Sequence, residues 1–319
     1  MTLLLFGGFG ALYFGADWMV RGAARLQGSL RLSPIVIGLT VVSLGTSAPE
    51  LIVAVLATLR GNADIAVGNV LGSNLANIGL ILGASALVRP LLVAERVGRR
   101  DAPIMIVLTL FLYPLIIDLE VGRFDGAVLT LFMGVYLTYV FYRGRKAPKP
   151  LISEYAKLAG EVGSGIGGGV FIALGLLVAG TLGLLLGGRA IVGSAIYFSG
   201  NFGVSELGIG LTVVAVGTSL PEMATSIMAA VRGQTDIAVG NVIGSNVFNI
   251  AGVLGVTSII KPVAVDPGVL WIELPAVVLL SLMVLLVTLS PLTKGQFRIQ
   301  RWEGALLLVT YVGLGFWIF

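Results

Sequence analysis

One polar stretch occurs twice in this chain, and the repeat limits what it can fold into. The first copy reads Gly38-Leu-Thr-Val-Val-Ser-Leu-Gly-Thr-Ser-Ala-Pro-Glu50. After ten mostly apolar residues it continues Gly61-Asn-Ala-Asp-Ile-Ala-Val-Gly-Asn-Val-Leu-Gly-Ser-Asn74. The second reads Gly210-Leu-Thr-Val-Val-Ala-Val-Gly-Thr-Ser-Leu-Pro-Glu222 and then Gly233-Gln-Thr-Asp-Ile-Ala-Val-Gly-Asn-Val-Ile-Gly-Ser-Asn246. Matched residues are offset by 172, with ten of the first thirteen and eleven of the later fourteen identical. Chance likeness between apolar segments does not keep Gly, Thr, Ser, Pro, Glu and Asn in register, so the chain carries an internal duplication.

The polar stretches interrupt a very apolar sequence. Of 319 residues 57% are hydrophobic and 11% charged, and the mean hydropathy is +1.02. A soluble domain carries about 25% charged residues. Apolar runs long enough to cross a bilayer recur from end to end, so the chain reads as a polytopic membrane protein whose first partner is lipid. The sequence pI near 9.5 does not point to nucleic acid, because the basic residues fall in short connections between apolar runs. With no Cys, disulfide and thiolate chemistry are excluded; with no His, the commonest transition-metal ligand and proton shuttle is missing. The N-terminal run lacks a basic n-region and a small-residue cleavage site, and reads as a retained first helix.

Ten spans are predicted, at about 2–25, 34–59, 65–88, 102–118, 124–142, 167–190, 207–231, 237–260, 269–290 and 303–319. Five fall in a first repeat, 1–142, and five in a second, 167–319, with 143–166 a cytoplasmic linker. The connections after the odd-numbered spans hold 16 of the 20 Lys and Arg residues. The positive-inside rule puts these in the cytoplasm and both termini outside. An odd number of spans per copy makes the second copy enter the membrane inverted. The fold class is therefore all-α, ten transmembrane helices as two inverted five-helix repeats. That is a common plan of secondary transporters, with the site near the midplane where the repeats meet.

Glu50 and Glu222 lie mid-span with no Arg or Lys at comparable depth. A carboxylate there costs several kcal/mol unless it is paired, protonated or facing a polar cavity. Two such groups brought together repel unless a cation lies between them. The competing reading, two protonated acids that merely glue helices, leaves the surrounding pattern unexplained. Pro49 has no N–H to give, and Gly45 adds backbone freedom, so helix 2 is expected to break and free carbonyls from Ser43 to Thr46. Pro221 and Gly217 are expected to break helix 7 around Ala215 to Thr218. A plain Pro kink does not account for Thr, Ser and Glu within one turn of both breaks. Asn69, Ser73 and Asn77, spaced by four, share a helix face, as do Asn241, Ser245 and Asn249. Interhelical hydrogen bonding alone would justify Asn69 and Asn241; the deeper four are better ligand candidates. Two carboxylates among neutral oxygens, with no sulfur or imidazole, make a site for a hard cation. Ca²⁺ and the similarly sized Na⁺ suit it better than Mg²⁺, which demands tight octahedral geometry.

Gly-Thr-Ser-x-Pro-Glu followed by Gly-Asn-x-x-Gly-Ser-Asn, in two halves, resembles the cation/calcium exchanger superfamily, most closely the prokaryotic sodium/calcium exchangers. The resemblance covers essentially all ten spans. It implies antiport of Ca²⁺ against Na⁺ by alternating access, with unequal charge exchanged, no cofactor, no enzymatic activity and no evident protein partner. By resemblance, Glu50 and Glu222 are the central ligands, and Thr46 and Thr218 give backbone carbonyls to Ca²⁺. Ser43 (carbonyl), Ser47 and Ser73 build one peripheral Na⁺ site; Ala215 (carbonyl), Ser219 and Ser245 build its mirror image. Asn77 and Asn249 line the middle, and the first and sixth spans slide as a gating pair. Some members carry Asp at the position of Asn249, so this site has one titratable group fewer and its coupling ion stays open. Gly-Thr-Ser favours Na⁺ over the proton-coupled branch, which usually has Gly-Asn-x-x-Glu. A cation channel fits less well, because a pore often arises from oligomeric symmetry and this chain duplicates the site within itself.

Two other acids read as structural. Asp17 precedes Arg21 by one turn, in the favourable order. Asp64 and Asp236 recur in register at helix starts, where the positive end of the helix dipole favours them.

Overall fold

The structure is a computed structural model describing residues 1–30, 32–144, 166–201, 215–289 and 297–318, and it is almost wholly helical. Helix α1 spans Thr2–Leu30. Helix α2, Pro34–Thr46, opens on a proline at its first position, where a missing N–H is harmless, and widens into π-helical turns over Gly38–Val42. The chain leaves helical geometry at Ser47 (φ −85°, ψ 9°) and resumes as α3, Ala48–Leu59, bent from α2 by 43°. Pro49 sits in the first turn of α3 and explains the break. A reversal through Gly61, whose φ of +89° favours glycine, leads to α4, Ala63–Val88. Then come β1 (Leu91–Leu92), α5 (Ala102–Leu115), β2 (Glu120–Val121) and α6 (Arg123–Gly144).

The second half runs through α7 (Ile166–Asn201), the short α8 (Ala215–Thr218), α9 (Leu220–Val231) and α10 (Thr235–Ile260). It ends with β3 (Val263–Ala264), α11 (Gly268–Trp271), α12 (Glu273–Leu289), β4 (Arg298–Ile299) and α13 (Arg301–Ile318). Ser219 breaks the chain between α8 and α9 as Ser47 does between α2 and α3 (φ −86°, ψ 2°). The elements recur with the 172-residue offset: α9 begins 172 residues after α3, and α10 matches α4 at both ends.

Among the described residues six helices are long and apolar enough to cross a membrane, and seven if the bent α2–α3 pair is one span. The expectation from sequence was ten. Two of the expected spans fall on the shorter α5 and α9, of 14 and 12 residues, and the start of span 207–231 lies outside the described residues. Helix α13 opens on Arg301 and on Glu303, whose carboxylate accepts the N–H of Gln300 at 2.6 Å and ties off the helix start.

Burial places α4 and α10 at the centre. Their most apolar windows are 78% and 83% buried inside the protein, against 22–39% for α1, α6, α7 and α12. The two run antiparallel: β1, which follows α4, lies against the start of α10, and β3, which follows α10, lies against the start of α4. The small strands clip connections together, β1 with β4 and β2 with β3. This groups the connections as the basic-residue count groups them, after spans 3 and 9 and after spans 4 and 8. Helix α1 packs along α7, also antiparallel. A Cβ on Gly15 would stand 2.7 Å from Leu184 N, and one on Gly180 2.7 Å from Met19 N, so these two backbones touch only because both positions are glycine.

Candidate functional site

The two breaks do more than release carbonyls. They set Glu50 and Glu222 in the first turns of α3 and α9, where unpaired backbone N–H groups and the helix dipole favour negative charge. The sequence signal was present: Ser-x-Pro-Glu has the spacing of a capping box, with proline near the start of the helix. The box does not close, however. Neither Ser47 nor Ser219 caps its own helix. The Ser47 hydroxyl instead donates across the molecule to Glu222 Oε1, at 2.8 Å.

Both glutamates are fully buried. Neither oxygen of Glu50 has a hydrogen-bond partner, and Glu222 Oε2 has none. The Ser73 and Ser219 hydroxyls face Glu50 without closing a bond, and both are themselves unpartnered. The Oγ of Ser245 and the Oδ1 atoms of Asn77 and Asn249 are buried and unpartnered as well. Eight buried oxygens from both copies thus lack a donor, and all belong to residues singled out from sequence. A buried polar atom left unpaired costs about 1–3 kcal/mol, more when charged. Hard cations are the natural partners of oxygens of this kind. Among the described residues no three acidic, His or Cys side chains cluster, so the charge of such a site rests on the two glutamates.

Asn69 and Asn241 are already engaged. Asn69 Nδ2 donates to the carbonyl of Glu50 at 3.2 Å, and its Oδ1 accepts the Thr218 hydroxyl at 3.2 Å. Asn241 Nδ2 donates to the carbonyl of Glu222 at 3.4 Å and to Ser226 Oγ at 2.9 Å, while its Oδ1 accepts the Thr46 hydroxyl at 3.2 Å. Each ties the backbone of its own glutamate to the broken helix of the other copy, which is the structural role the sequence allowed.

The expected release of carbonyls needs one correction. Ser43 keeps its helical bond: its carbonyl accepts the Ser47 N–H at 2.9 Å and the Thr46 hydroxyl at 3.4 Å. The prolines remove the i+4 donor from Gly45 and Gly217 instead. Ala215 opens α8 at the edge of the described residues. The π-helical turns were not foreseen. They run over Ala76–Leu82 and Phe248–Leu254, enclosing Asn77 and Asn249, and such turns often mark functional positions. Asn74 and Asn246, quoted in the motif but given no role, hydrogen-bond to Asn249 and Asn77.

Outside the site, Asp17 pairs with Arg21 at 2.8 Å, as its spacing predicts, and also with Arg232 beyond the end of α9. Asp64 and Asp236 occupy the first turns of α4 and α10.

A helical membrane protein with a broken-helix pair and two buried glutamates among unpartnered neutral oxygens has the make-up of a cation transporter. A family model described as "Sodium/calcium exchanger protein" matches residues 1–142 and 172–319. CaxA of Alkalimonas amylolytica is 39% identical, with 100% of this chain and 98% of that protein covered. The sodium/calcium exchanger MaX1 of Methanosarcina acetivorans is 32% identical over 97% of this chain and 96% of its own length. The solved structure of the sodium-calcium exchanger NCX_Mj superposes with a TM-score of 0.82 at 31% identity, covering 98% of this chain and 96% of that one. The chain belongs to the sodium/calcium exchanger family, whose members are membrane cation exchangers rather than enzymes.

Proposed function

We propose that this protein exchanges Na⁺ for Ca²⁺ across the membrane by alternating access, at a midplane site centred on Glu50 and Glu222. The observation that carries the reading is the set of eight unpartnered buried oxygens contributed by both copies. Ca²⁺ takes six to eight oxygens in an adaptable cage, and Na⁺ of similar size uses the same atoms, so competition between the two follows from the donor set. Glu50 and Glu222 are the charged ligands, with the carbonyls of Thr46 and Thr218 beside them. Ser47 and Ser73 with the carbonyl of Ser43, and Ser219 and Ser245 with that of Ala215, form flanking Na⁺ positions. Asn77 and Asn249 supply neutral oxygens in the middle. With the one Thr46 hydroxyl proton given to Asn241 Oδ1 rather than to Ser43, the second lone pair of the Ser43 carbonyl is free for an ion.

The scaffold for this reading is ten spans in two repeats of opposite orientation, 1–142 and 167–319, with both termini outside. The antiparallel course of α4 and α10 supports it. The linker 143–166 falls almost wholly outside the described residues. The close α1–α7 seam suits two helices that slide together as a gate.

The test is ⁴⁵Ca²⁺ flux in proteoliposomes with imposed gradients. An inward Na⁺ gradient is expected to drive Ca²⁺ out, with a voltage response of about 2.3 kcal/mol per uncompensated charge per 100 mV. Glu50→Gln and Glu222→Gln are each expected to abolish exchange in folded protein, because each removes half of the charge facing a divalent ion. Flux that follows a proton gradient in Na⁺-free buffer would assign the protein to the proton-coupled branch, and wild-type uptake by either variant would remove the glutamates from the site.

A further inference from the structure

Four asparagines form a crossed network between the two copies. Asn77 Nδ2 donates to Asn246 Oδ1 at 3.1 Å, and Asn249 Nδ2 donates to Asn74 Oδ1 at 3.1 Å. The holding residues are themselves held: Asn74 Nδ2 donates to the Asn246 carbonyl at 3.3 Å, and Asn246 Nδ2 to Met105 Sδ at 3.4 Å. All four are buried, at 0–1% exposure. What the network leaves over decides its meaning: Asn77 Oδ1 and Asn249 Oδ1 are the amide atoms with no partner.

A carboxamide turned by 180° exchanges its oxygen for an NH₂ group, which repels a cation as the oxygen attracts it. Here a flip would bring Asn77 Oδ1 against Asn246 Oδ1, and Asn249 Oδ1 against Asn74 Oδ1, acceptor facing acceptor. We propose that Asn74 and Asn246 are positioning residues that hold the Asn249 and Asn77 carboxamides with oxygen, not nitrogen, free for the transported ion. This rests on the reading of the site given above and adds to it a reason why neutral amides serve there. Each amide is oriented by the opposite copy, so the two halves must be docked before either presents its oxygen. The arrangement is the amide counterpart of the outer partners that orient metal-ligating histidines, whose loss weakens metal affinity roughly 10- to 100-fold.

The test is a double-substitution cycle on purified protein, read as ⁴⁵Ca²⁺ equilibrium binding in Na⁺-free buffer and as Ca²⁺/Ca²⁺ counterflow in liposomes. Asn246→Leu removes the acceptor that orients Asn77. It is expected to raise the dissociation constant and the half-saturating Ca²⁺ roughly 10- to 100-fold, with the maximal counterflow rate nearly kept. In the Asn77→Asp background the same Asn246→Leu change is expected to cost nothing, because a carboxylate presents oxygen whichever way it turns. Equal losses in both backgrounds, or a fall in maximal rate with unchanged half-saturation, overturn the inference. The mirror cycle, Asn74→Leu with and without Asn249→Asp, has the same expected outcomes and decides the matter if one leucine variant does not fold. Wild-type protein that neither binds nor exchanges Ca²⁺ removes the reading of the site and this inference with it.

Discussion

Ser47→Ala and Ser219→Ala make the same chemical change at positions related by the duplication, yet the structure gives them different consequences. The Ser47 hydroxyl donates to Glu222 Oε1 at 2.8 Å, with both groups buried. A hydrogen bond to a charged group contributes about 1.5–3 kcal/mol, and its loss here leaves Glu222 with neither oxygen partnered. The Ser219 hydroxyl faces Glu50 without closing a hydrogen bond, so its removal costs less than the loss at Ser47. In ion-free buffer Ser47→Ala is therefore expected to unfold below Ser219→Ala, by up to about 1.5–3 kcal/mol. Thermal unfolding in detergent, with Na⁺ replaced by a large organic cation and Ca²⁺ chelated, reads this through the four tryptophans. Saturating Ca²⁺ is expected to narrow the gap, because an ion then takes over Glu222. Equal midpoints in ion-free buffer, or a lower one for Ser219→Ala, would refute the assignment of that bond as the main polar tie of Glu222.

The other predictions concern packing and sidedness. A Cβ on Gly244 would stand 2.7 Å from both Leu39 Cα and Leu39 O and 2.8 Å from Ser43 Oγ, so Gly244→Ala must part α10 from α2. It is expected to lower stability by about 1–3 kcal/mol and to slow exchange, measured by melting and by ⁴⁵Ca²⁺ flux. Gly175→Ala, with nothing within 4 Å of its Cβ, is expected to be neutral or to gain up to about 1 kcal/mol from helix propensity. The chain has no native Cys, so single cysteines report sidedness directly. Arg99→Cys is expected to label only from the cytoplasm and Asp118→Cys only from outside; labelling of both from one side would break the ten-span topology.

The identity of the candidate ligands was legible in the sequence because the chain states it twice. Glu, Ser and Asn at one 172-residue offset stand out against an apolar background, where each polar group needs a reason. The partners of those residues were not legible, since a repeat shows which positions are equivalent and not which positions touch. The contacts that build the site join non-equivalent positions: Ser47 with Glu222, Thr46 with Asn241, Asn77 with Asn246. Asn74 and Asn246 show this: each stands three residues before the amide of its own copy, Asn77 or Asn249, but holds the amide of the other copy.

The same geometry explains why most contacts come in pairs. Where two matched copies pack about a common axis, a contact between a residue of one copy and a residue of the other recurs with the roles exchanged. Thr46 on Asn241 recurs as Thr218 on Asn69, and Asn77 on Asn246 as Asn249 on Asn74. The exceptions then carry information that no repeated motif can hold. Ser47 closes on Glu222 while Ser219 leaves Glu50 open, although the two serines and the two glutamates are matched residue for residue. Met105 accepts from Asn246 where the offset position is Val277, a side chain that cannot accept a hydrogen bond from Asn74; Asn74 turns to the Asn246 backbone instead. The first asymmetry is one of conformation, since its residues are identical, and the second is one of sequence. A difference of conformation between matched halves can be exchanged between them without any change of sequence, and the alternating access proposed above would use that freedom.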